Sequence, residues 1–227
     1  MTTGPHAGPG PGDAGPGVAE AALAALPLRE RKRARTRVGL WTALRERIEH
    51  TPFTDITVRE LAAAVEISEP TFFAHFGSKT ELLAYHICLW RIETVLASSA
   101  APDGAPFLRR FFDATAASVL AGPRMWFEIT GEVARGGGLC AVLDVGPAER
   151  LLVFGTPAAL DVEITPQADL FARHLAVAAE RGELAGPVDA AVTALLAGFY
   201  GVPLALGADR LADLAAAYAA HLDHVVS

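Results

Sequence analysis

The side chains best suited to chemistry in this sequence are the basic residues of one short stretch. Residues 29–37 hold six of them against one acid, Glu30: Arg29, Arg31, Lys32, Arg33, Arg35 and Arg37. The formal net charge is −7, but nucleic-acid binding needs a local basic surface rather than a basic total. Residues 28–83 carry ten basic residues against eight acidic ones, whereas residues 84–227 carry nine against sixteen. The basic stretch therefore predicts a phosphate-binding surface near the N-terminus.

Other chemistries find little support in the residue pattern. The chain has no G-x-S-x-G, no phosphate-binding glycine loop and no H-E-x-x-H motif, so we do not predict an enzyme. Its two cysteines, Cys88 and Cys140, are too few for a disulfide framework or a zinc site. We predict no cofactor and no metal. Without the apolar run of a signal peptide, the cytoplasm is the expected compartment.

The elements that must position the basic residues are helical. Ala and Leu dominate the sequence and aromatic residues make up 7%, which favours an all-α chain. Residues 1–27 are rich in Gly, Pro and Ala, so we predict a disordered tail. A first helix is expected from Arg33 to His50, because its apolar residues recur at helical spacing.

Two short helices follow, each with its own start signal. Residues 57–60 (T-V-R-E) form a capping box, and Ser68 precedes Pro70 as the cap of the next helix. A second capping box at residues 78–81 (S-K-T-E) opens a longer helix that extends to about Ser98. Two helices of this length joined by a three-residue turn predict a helix-turn-helix.

Residues 53–83 closely resemble the DNA-binding domain of TetR-family regulators. The similarity lies in T-V-R-E-L-A at residues 57–62, I-S at 67–68, T-F-F-A-H-F at 71–76 and F-G-S-K-T-E-L-L at 76–83. The resemblance implies a three-helix DNA-binding domain at residues 28–83 and a larger helical ligand-binding and dimerisation domain at 84–227.

The resemblance also implies which side chains meet DNA, since the second helix of the motif would lie in the major groove. The expected DNA-binding residues are Thr57, Ser68, Glu69, Pro70, Thr71, Phe73, His75 and Lys79. The basic arm, through Arg33, Arg35 and Arg37, would follow the backbone or enter the minor groove. Thr71, His75 and Lys79 are expected to contact phosphates.

Three residues depart from the family pattern. Glu66 stands where a glycine is usual in the turn, which predicts a less favoured backbone conformation. Phe73 replaces a common tyrosine and lacks its hydroxyl group. Glu69 brings negative charge to the helix end that meets DNA, where it could either accept a hydrogen bond from cytosine or remain solvated.

The remaining sequence predicts a helical domain, and the family resemblance implies that this domain binds a small molecule. Helices are expected at residues 106–120, 123–135, 166–181, 188–206 and 208–226, while residues 151–164 could form a hairpin, a loop or another helix. The family resemblance implies a pocket among aromatic side chains and one histidine: Trp90, Phe111, Trp126, Phe127, Phe154, Phe171, His174 and Phe199. An acidic domain with an apolar interior suits a hydrophobic effector, which could be either neutral or cationic.

The last two predicted helices are rich in Ala and Gly, which lets helices approach closely across a two-fold axis. We therefore expect a homodimer whose two recognition helices bind an inverted repeat in double-stranded DNA. Residues 190–208 are apolar enough to span a membrane, but Gly198, Gly201 and Pro203 favour a buried interface helix. The expected function is a ligand-released repressor. The alternative is a protein-interaction module built on a degenerate helix-turn-helix.

Overall fold

The computed structural model describes residues 16–136, 142–184 and 186–226, which are helical with no strand among them. The α-helices are α1 (Pro16–Ala25), α2 (Leu28–Ile48), α3 (Val58–Ala64), α4 (Glu69–His75), α5 (Lys79–Ser98), α6 (Ala105–Ala121), α7 (Pro123–Ala134), α8 (Pro147–Phe154), α9 (Gln167–Glu180), α10 (Val188–Leu206) and α11 (Leu214–Val225). Two 3-10 helices lie at Pro157–Leu160 and Ala208–Asp213. The predicted all-α fold is confirmed.

The helix-turn-helix forms as its capping signals predict. The Thr57 hydroxyl accepts from the Glu60 amide at 3.2 Å, and the Glu60 carboxylate accepts from the Thr57 amide at 2.8 Å. Ser68 caps α4 by accepting from the Thr71 amide at 3.3 Å. Between the two helices Glu66 has φ 56°, a left-handed conformation that costs a side-chain-bearing residue energy. The predicted strain at Glu66 is thus present.

The second predicted capping box is only half formed. The Ser78 hydroxyl accepts from the Glu81 amide at 3.0 Å, as expected. The Glu81 carboxylate, however, accepts from the Gly77 amide at 2.7 Å, one residue before the predicted partner. Both bonds still satisfy backbone donors at the start of α5. Since α5 runs from Lys79 to Ser98, it crosses the predicted boundary between residues 83 and 84.

The described part of the predicted disordered tail corrects that expectation. Residues 16–25 form α1, which packs on α8 and on the first 3-10 helix through the buried Ala19. Alanine has the highest helix propensity, so this stretch forms a helix once a neighbouring surface covers one of its faces. The first fifteen residues of the predicted tail lie outside the described residues.

The middle of the chain is also more regular than expected. Three alternatives were open for residues 151–164, and a helix forms at the start of this segment. Helix α8 extends to Phe154 and ends at Gly155, which has φ 62°. The first 3-10 helix follows, and residues 161–166 complete a loop. Cys88 is buried and has a free thiol, whereas Cys140 lies outside the described residues.

Two hydrophobic clusters share α5 and α7. The first joins the helix-turn-helix to α5, with Leu40, Leu44, Phe72 and Phe76 among its members. It continues into the larger domain through residues of α7 and the first 3-10 helix. The second cluster fills the space among α5, α6, α7, α9, α10 and α11. Helix α5 therefore packs against residues of both clusters.

Helices α10 and α11 approach closely at one glycine. A Cβ atom at Gly198 would collide with the imidazole ring of His221, whose Nε2 lies 3.0 Å from the carbonyl oxygen of Ala194. Helix α10 is long and apolar enough to cross a membrane by length and composition, and 28% of that segment is buried. Its exposed residues include Ala197, Gly201 and Leu204, and Leu204 is 54% exposed.

Candidate nucleic-acid interface and ligand cavity

Helix α4 turns one face to solvent and the other to the core. Phe72 and Phe76 are fully buried and hold the helix against α2 and α5. The exposed residues at its start and outer face are Ser68, Glu69, Pro70, Thr71 and Phe73. Phe73 is 51% exposed, which is unusual for a large apolar side chain. The predicted recognition residues therefore form one accessible surface.

The hydroxyl groups of this surface already have partners within the protein. The hydroxyl oxygens of Ser68 and Thr71 lie 2.8 Å apart, so one donates to the other. The Thr57 hydroxyl donates to the Glu60 carboxylate at 2.7 Å. Each oxygen keeps lone pairs, but donation to a phosphate would require the hydroxyl to rotate.

His75 is half-buried at the end of α4. Burial, together with the nearby charges of Arg33 and Arg37, lowers the pKa of His75 below its usual range. The ring is therefore neutral at pH 7 and would meet DNA as a hydrogen-bond group rather than as a cation. Its Nδ1 atom is buried and has no hydrogen-bond partner among the described residues.

Of the predicted basic arm, Arg33 and Arg35 are exposed on α2, but Arg37 is not. Arg37 is 7% exposed, and its Nε lies 3.2 Å from the carboxylate of Glu149 on α8. Its guanidinium group also lies over the rings of Phe76 and Tyr85, 4.8 and 4.6 Å from their centroids. The expected DNA contact of Arg37 is corrected to a buried link between α2, α5 and α8.

The structure also changes the role of Lys79. Its ammonium group donates to the carbonyl oxygens of Phe53, Thr54 and Ile56 at 2.5, 3.2 and 2.6 Å. An ammonium group has three donors, so this loop uses all of them. Burial lowers the pKa of Lys79. Instead of the expected phosphate contact, Lys79 fixes the loop that precedes α3.

A cavity of about 320 Å³ lies between the helix-turn-helix and the larger domain. Its walls come from α2, α5, α6, α7, α8, α9 and α10, and they are mainly apolar. Four of the predicted pocket residues line it: Trp90, Trp126, Phe154 and Phe199. This volume is in the range of small-molecule sites.

The other four predicted pocket residues do not line this cavity, and the structure corrects their assignment. Phe111 and Phe171 are fully buried in the second hydrophobic cluster, against which Phe127 packs. His174 stacks on Phe107 with ring centroids 3.7 Å apart. Burial, with a contribution from Arg173, lowers the pKa of His174 to about 4. An aromatic residue on a helix has the same sequence pattern in a core as in a pocket, so the sequence could not separate them.

The lining residues that were missed from the sequence include Trp41, Arg91 and Gln167. Trp41 belongs to the first helix of the DNA-binding unit, and its Nε1 donates to Nδ1 of His86 on α5 at 2.9 Å. Burial, with a smaller contribution from Arg45, lowers the pKa of His86 to about 3, so its ring is neutral. One wall of the cavity is therefore a direct contact between α2 and α5.

A sequence signal existed for Arg91, because it is the one basic residue of α5 after Lys79 and lies among mainly apolar side chains. The residue is 7% exposed and carries the one buried charge in the cavity wall. Two acids, Glu49 and Glu93, also line the cavity but are exposed. The expectation of a cationic effector is therefore not supported, because the desolvated charge is positive.

The comparisons with known proteins agree with this arrangement. The model of the family described as bacterial regulatory proteins, tetR family, matches residues 41–85. No curated protein matches the chain. Among solved structures, a Rhodococcus sp. protein assigned to the TetR-family transcriptional regulators has a TM-score of 0.61 at 16% identity, covering 85% of this chain and 98% of its own.

Two further structures show the same fold. A transcriptional regulator from Pseudomonas aeruginosa PAO1 has a TM-score of 0.52 at 20% identity, covering 91% of this chain and 95% of its own. A protein described as superantigen PfiT has a TM-score of 0.53 at 21% identity, covering 85% of this chain and 96% of its own. At sequence identities this low, the similarity to these structures shows the fold alone.

The exposed face of α4 and the helical bundle behind it thus have the fold of these solved structures, a helix-turn-helix followed by a helical bundle. More narrowly, residues 41–85 match the model of the tetR family of bacterial regulatory proteins. The resemblance predicted from the sequence is confirmed.

Proposed function

We propose that this protein is a cytoplasmic, homodimeric repressor that binds an inverted repeat in double-stranded DNA and releases it when a small molecule fills the cavity. The observation that carries the proposal is the position of the cavity. Trp41 of the DNA-binding unit and His86 of α5 form one of its walls and are hydrogen-bonded to each other. A molecule that occupies the cavity therefore touches the contact that orients α2 on α5.

DNA binding is supported by the exposed surface of α4 and by the basic face of α2. Base contacts would come from Ser68, Glu69, Pro70, Thr71 and Phe73, and His75 would act as a neutral hydrogen-bond group. Arg33 and Arg35 would supply charge to phosphates. Arg37, Lys79 and the Thr57 capping hydroxyl would keep this surface in place from within the protein.

Dimerisation is supported by the uncovered small residues of the last two helices. Ala197 and Gly201 on α10 and Ala212, Ala215 and Ala219 in the following segment are exposed. Leu204 adds a large apolar side chain to the same helix. A second copy of the chain would cover this surface as a four-helix interface, which removes apolar area from water.

Release of DNA would follow from two-state coupling. If the effector prefers an arrangement in which α5 and α2 are displaced, then DNA, which prefers the other arrangement, must bind more weakly by the same coupling free energy. The shared α5, which contributes residues to both hydrophobic clusters, is the element that both ligands would bias.

The test is capture of fragmented genomic DNA by the purified full-length protein, followed by sequencing and a salt titration of the best fragment. We expect one or a few inverted repeats, with affinity that falls steeply as salt rises because phosphate contacts release counterions. Replacing both Arg33 and Arg35 with Gln should lower the salt slope by about two. The paired control, Arg109→Gln and Arg110→Gln on α6, should leave the slope unchanged.

A second candidate is a protein-interaction module that keeps the helix-turn-helix as a scaffold. Exposed Phe73 favours it, since large apolar side chains at a surface often mark protein contacts. Glu69 adds negative charge to the same surface. A fold likeness to a protein described as a superantigen is consistent with uses of this fold beyond DNA. A captured partner whose binding is insensitive to salt, with no enriched DNA, would establish this candidate instead.

A further inference from the structure

The cavity wall holds a set of buried hydrogen-bond donors that lack acceptors. They are Nε and Nη1 of Arg91, the indole nitrogens of Trp90 and Trp126, and the amide nitrogen of Gln167. The four side chains are between 91% and 94% buried. None of these five nitrogen atoms has a hydrogen-bond partner among the described residues.

Such a set is unusual, because buried polar groups are nearly always hydrogen-bonded. Arg91 is the extreme member, since a guanidinium group is charged at every physiological pH. It forms no ion pair with any residue in the described ranges. A buried cation without a partner destabilises the folded protein. The site therefore holds an uncompensated positive charge beside an apolar cavity.

We infer that the effector is an amphipathic monoanion, a carboxylate on an apolar body, with its head group on Arg91 and Gln167. This inference rests on the proposed function, because it specifies the ligand of the same cavity. All five unpaired atoms are donors, so they match a group that only accepts. A carboxylate is planar and takes two parallel hydrogen bonds from a guanidinium group.

The remaining walls of the cavity determine the polarity and size of the rest of the ligand. Apolar side chains predominate there, among them Ile87, Leu89, Met125 and Ile129. Trp90 on α5 and Trp126 on α7 also line the cavity, and their unpaired indole N–H groups would be weaker donors for the head group. A volume of about 320 Å³ admits a compact body, aliphatic or aromatic, rather than a large cofactor.

The inference is tested by calorimetric titration of the full-length protein, without DNA, against two matched sets of probes. The first set is decanoate, 1-decanol and decylammonium. The second is 2-naphthoate, 2-naphthalenemethanol and 2-naphthylmethylammonium. In at least one set the carboxylate should bind about tenfold or more tightly than its alcohol and its ammonium partner, because hydrogen bonds to charged groups are the strong ones. If neither set shows this preference, the inference is wrong.

Variants locate the head group. Arg91→Met keeps an apolar stem of similar length and should abolish the preference for the carboxylate over the alcohol. Gln167→Leu should weaken carboxylate binding about threefold to tenfold. The control is Arg110→Met, an exposed arginine on α6, which should leave all six affinities unchanged. Because Trp41, Trp90 and Trp126 are the only tryptophans and all line the cavity, a change in the intrinsic fluorescence on addition of decanoate would support binding there.

A ligand-free measurement keeps the inference testable if binding is weak. Arg91→Met should raise the midpoint of thermal unfolding, because it removes an uncompensated buried charge. A lowered midpoint would mean that Arg91 has a stabilising partner, and the inference would then fail.

DNA release is scored separately. A carboxylate that binds through Arg91 without releasing DNA would leave the ligand class standing and would overturn the release mechanism.

Discussion

The two buried arginines of this protein have opposite surroundings, although both are 7% exposed. Arg37, in the region that joins α2 to α8, has a carboxylate partner and two aromatic rings around its guanidinium group. Arg91, in the cavity between the two domains, has apolar walls and unpaired donors around it. A buried charge with an ionic partner maintains the arrangement of the helices that carry the pair. A buried charge without a partner is stabilised only when a ligand binds to it.

Removing the partnered arginine should have the largest effect. Arg37→Met leaves the Glu149 carboxylate buried without its cation, and we expect the free energy of unfolding to fall by about 3–5 kcal/mol. Burial already raises the pKa of Glu149 despite the presence of Arg37. Denaturant unfolding measures the change, with the exposed Arg33→Met on the same helix as the control. The double variant Arg37→Met, Glu149→Leu should recover most of the loss, and a double variant as unstable as the single would contradict the pairing.

Acidification tests the cavity and the packing beside the second hydrophobic cluster, each through one neutral histidine. His86 at the cavity and His174 behind α6 have pKa values lowered to about 3 and about 4. An unfolded histidine titrates near 6.5, so the unfolded chain binds protons first as the pH falls. Stability is therefore complete above pH 6.5 and is lost between that value and the folded pKa values. At pH 5 each histidine should cost roughly 2 kcal/mol.

The measurement is the free energy of unfolding between pH 7.5 and pH 5. His174→Gln should flatten the dependence, and the exposed His50→Gln should not. A dependence that stays equally steep in His174→Gln would remove this histidine from the explanation.

Replacing the unpartnered Arg91 should change the free energy of unfolding in the opposite direction from replacing Arg37. We expect Arg91→Met to raise the free energy of unfolding by about 1–2 kcal/mol, since an apolar side chain of similar size often stabilises a protein when it replaces a buried charge. The same unfolding experiment compares it with Arg37→Met. If both substitutions destabilise by similar amounts, the contrast between the two regions is wrong.

The smallest effect is expected at the turn of the DNA-binding region. Glu66 has φ 56°, so Glu66→Gly relieves a left-handed strain and should stabilise the protein by about 0.5–1 kcal/mol. The unfolded state of the glycine variant gains entropy, which limits the effect. Glu66→Ala retains the strain and serves as the control. Equal stability of the two variants would show that the backbone at this position carries no cost.

Sequence reasoning worked best for features that depend on neighbours along the chain. The caps at Thr57 and Ser68 and the strained turn at Glu66 are local, so residue type and spacing predicted them. The helix at residues 16–25 was missed because its formation depends on a surface supplied by α8, more than a hundred residues away.

The candidate site divides in the same way. Its accessible recognition face could be predicted, because Phe72 and Phe76 fall on the opposite side of a short helix. The roles of Arg37 and Lys79 could not, since the partner of Arg37 comes from α8 and those of Lys79 from the loop before α3. Similarly, the four pocket residues that proved to be core share the aromatic, helical pattern of the four that line the cavity.

The sequence by itself determined an all-α chain with a helix-turn-helix near its N-terminus, because propensity, capping and apolar spacing act over a few residues. Only the tertiary structure decided which cations are buried, which of them has an acid beside it, and where a cavity remains. Those properties depend on the distance between residues far apart in sequence. A buried guanidinium group becomes a structural ion pair or a ligand site according to which groups the packing places within hydrogen-bond distance of it.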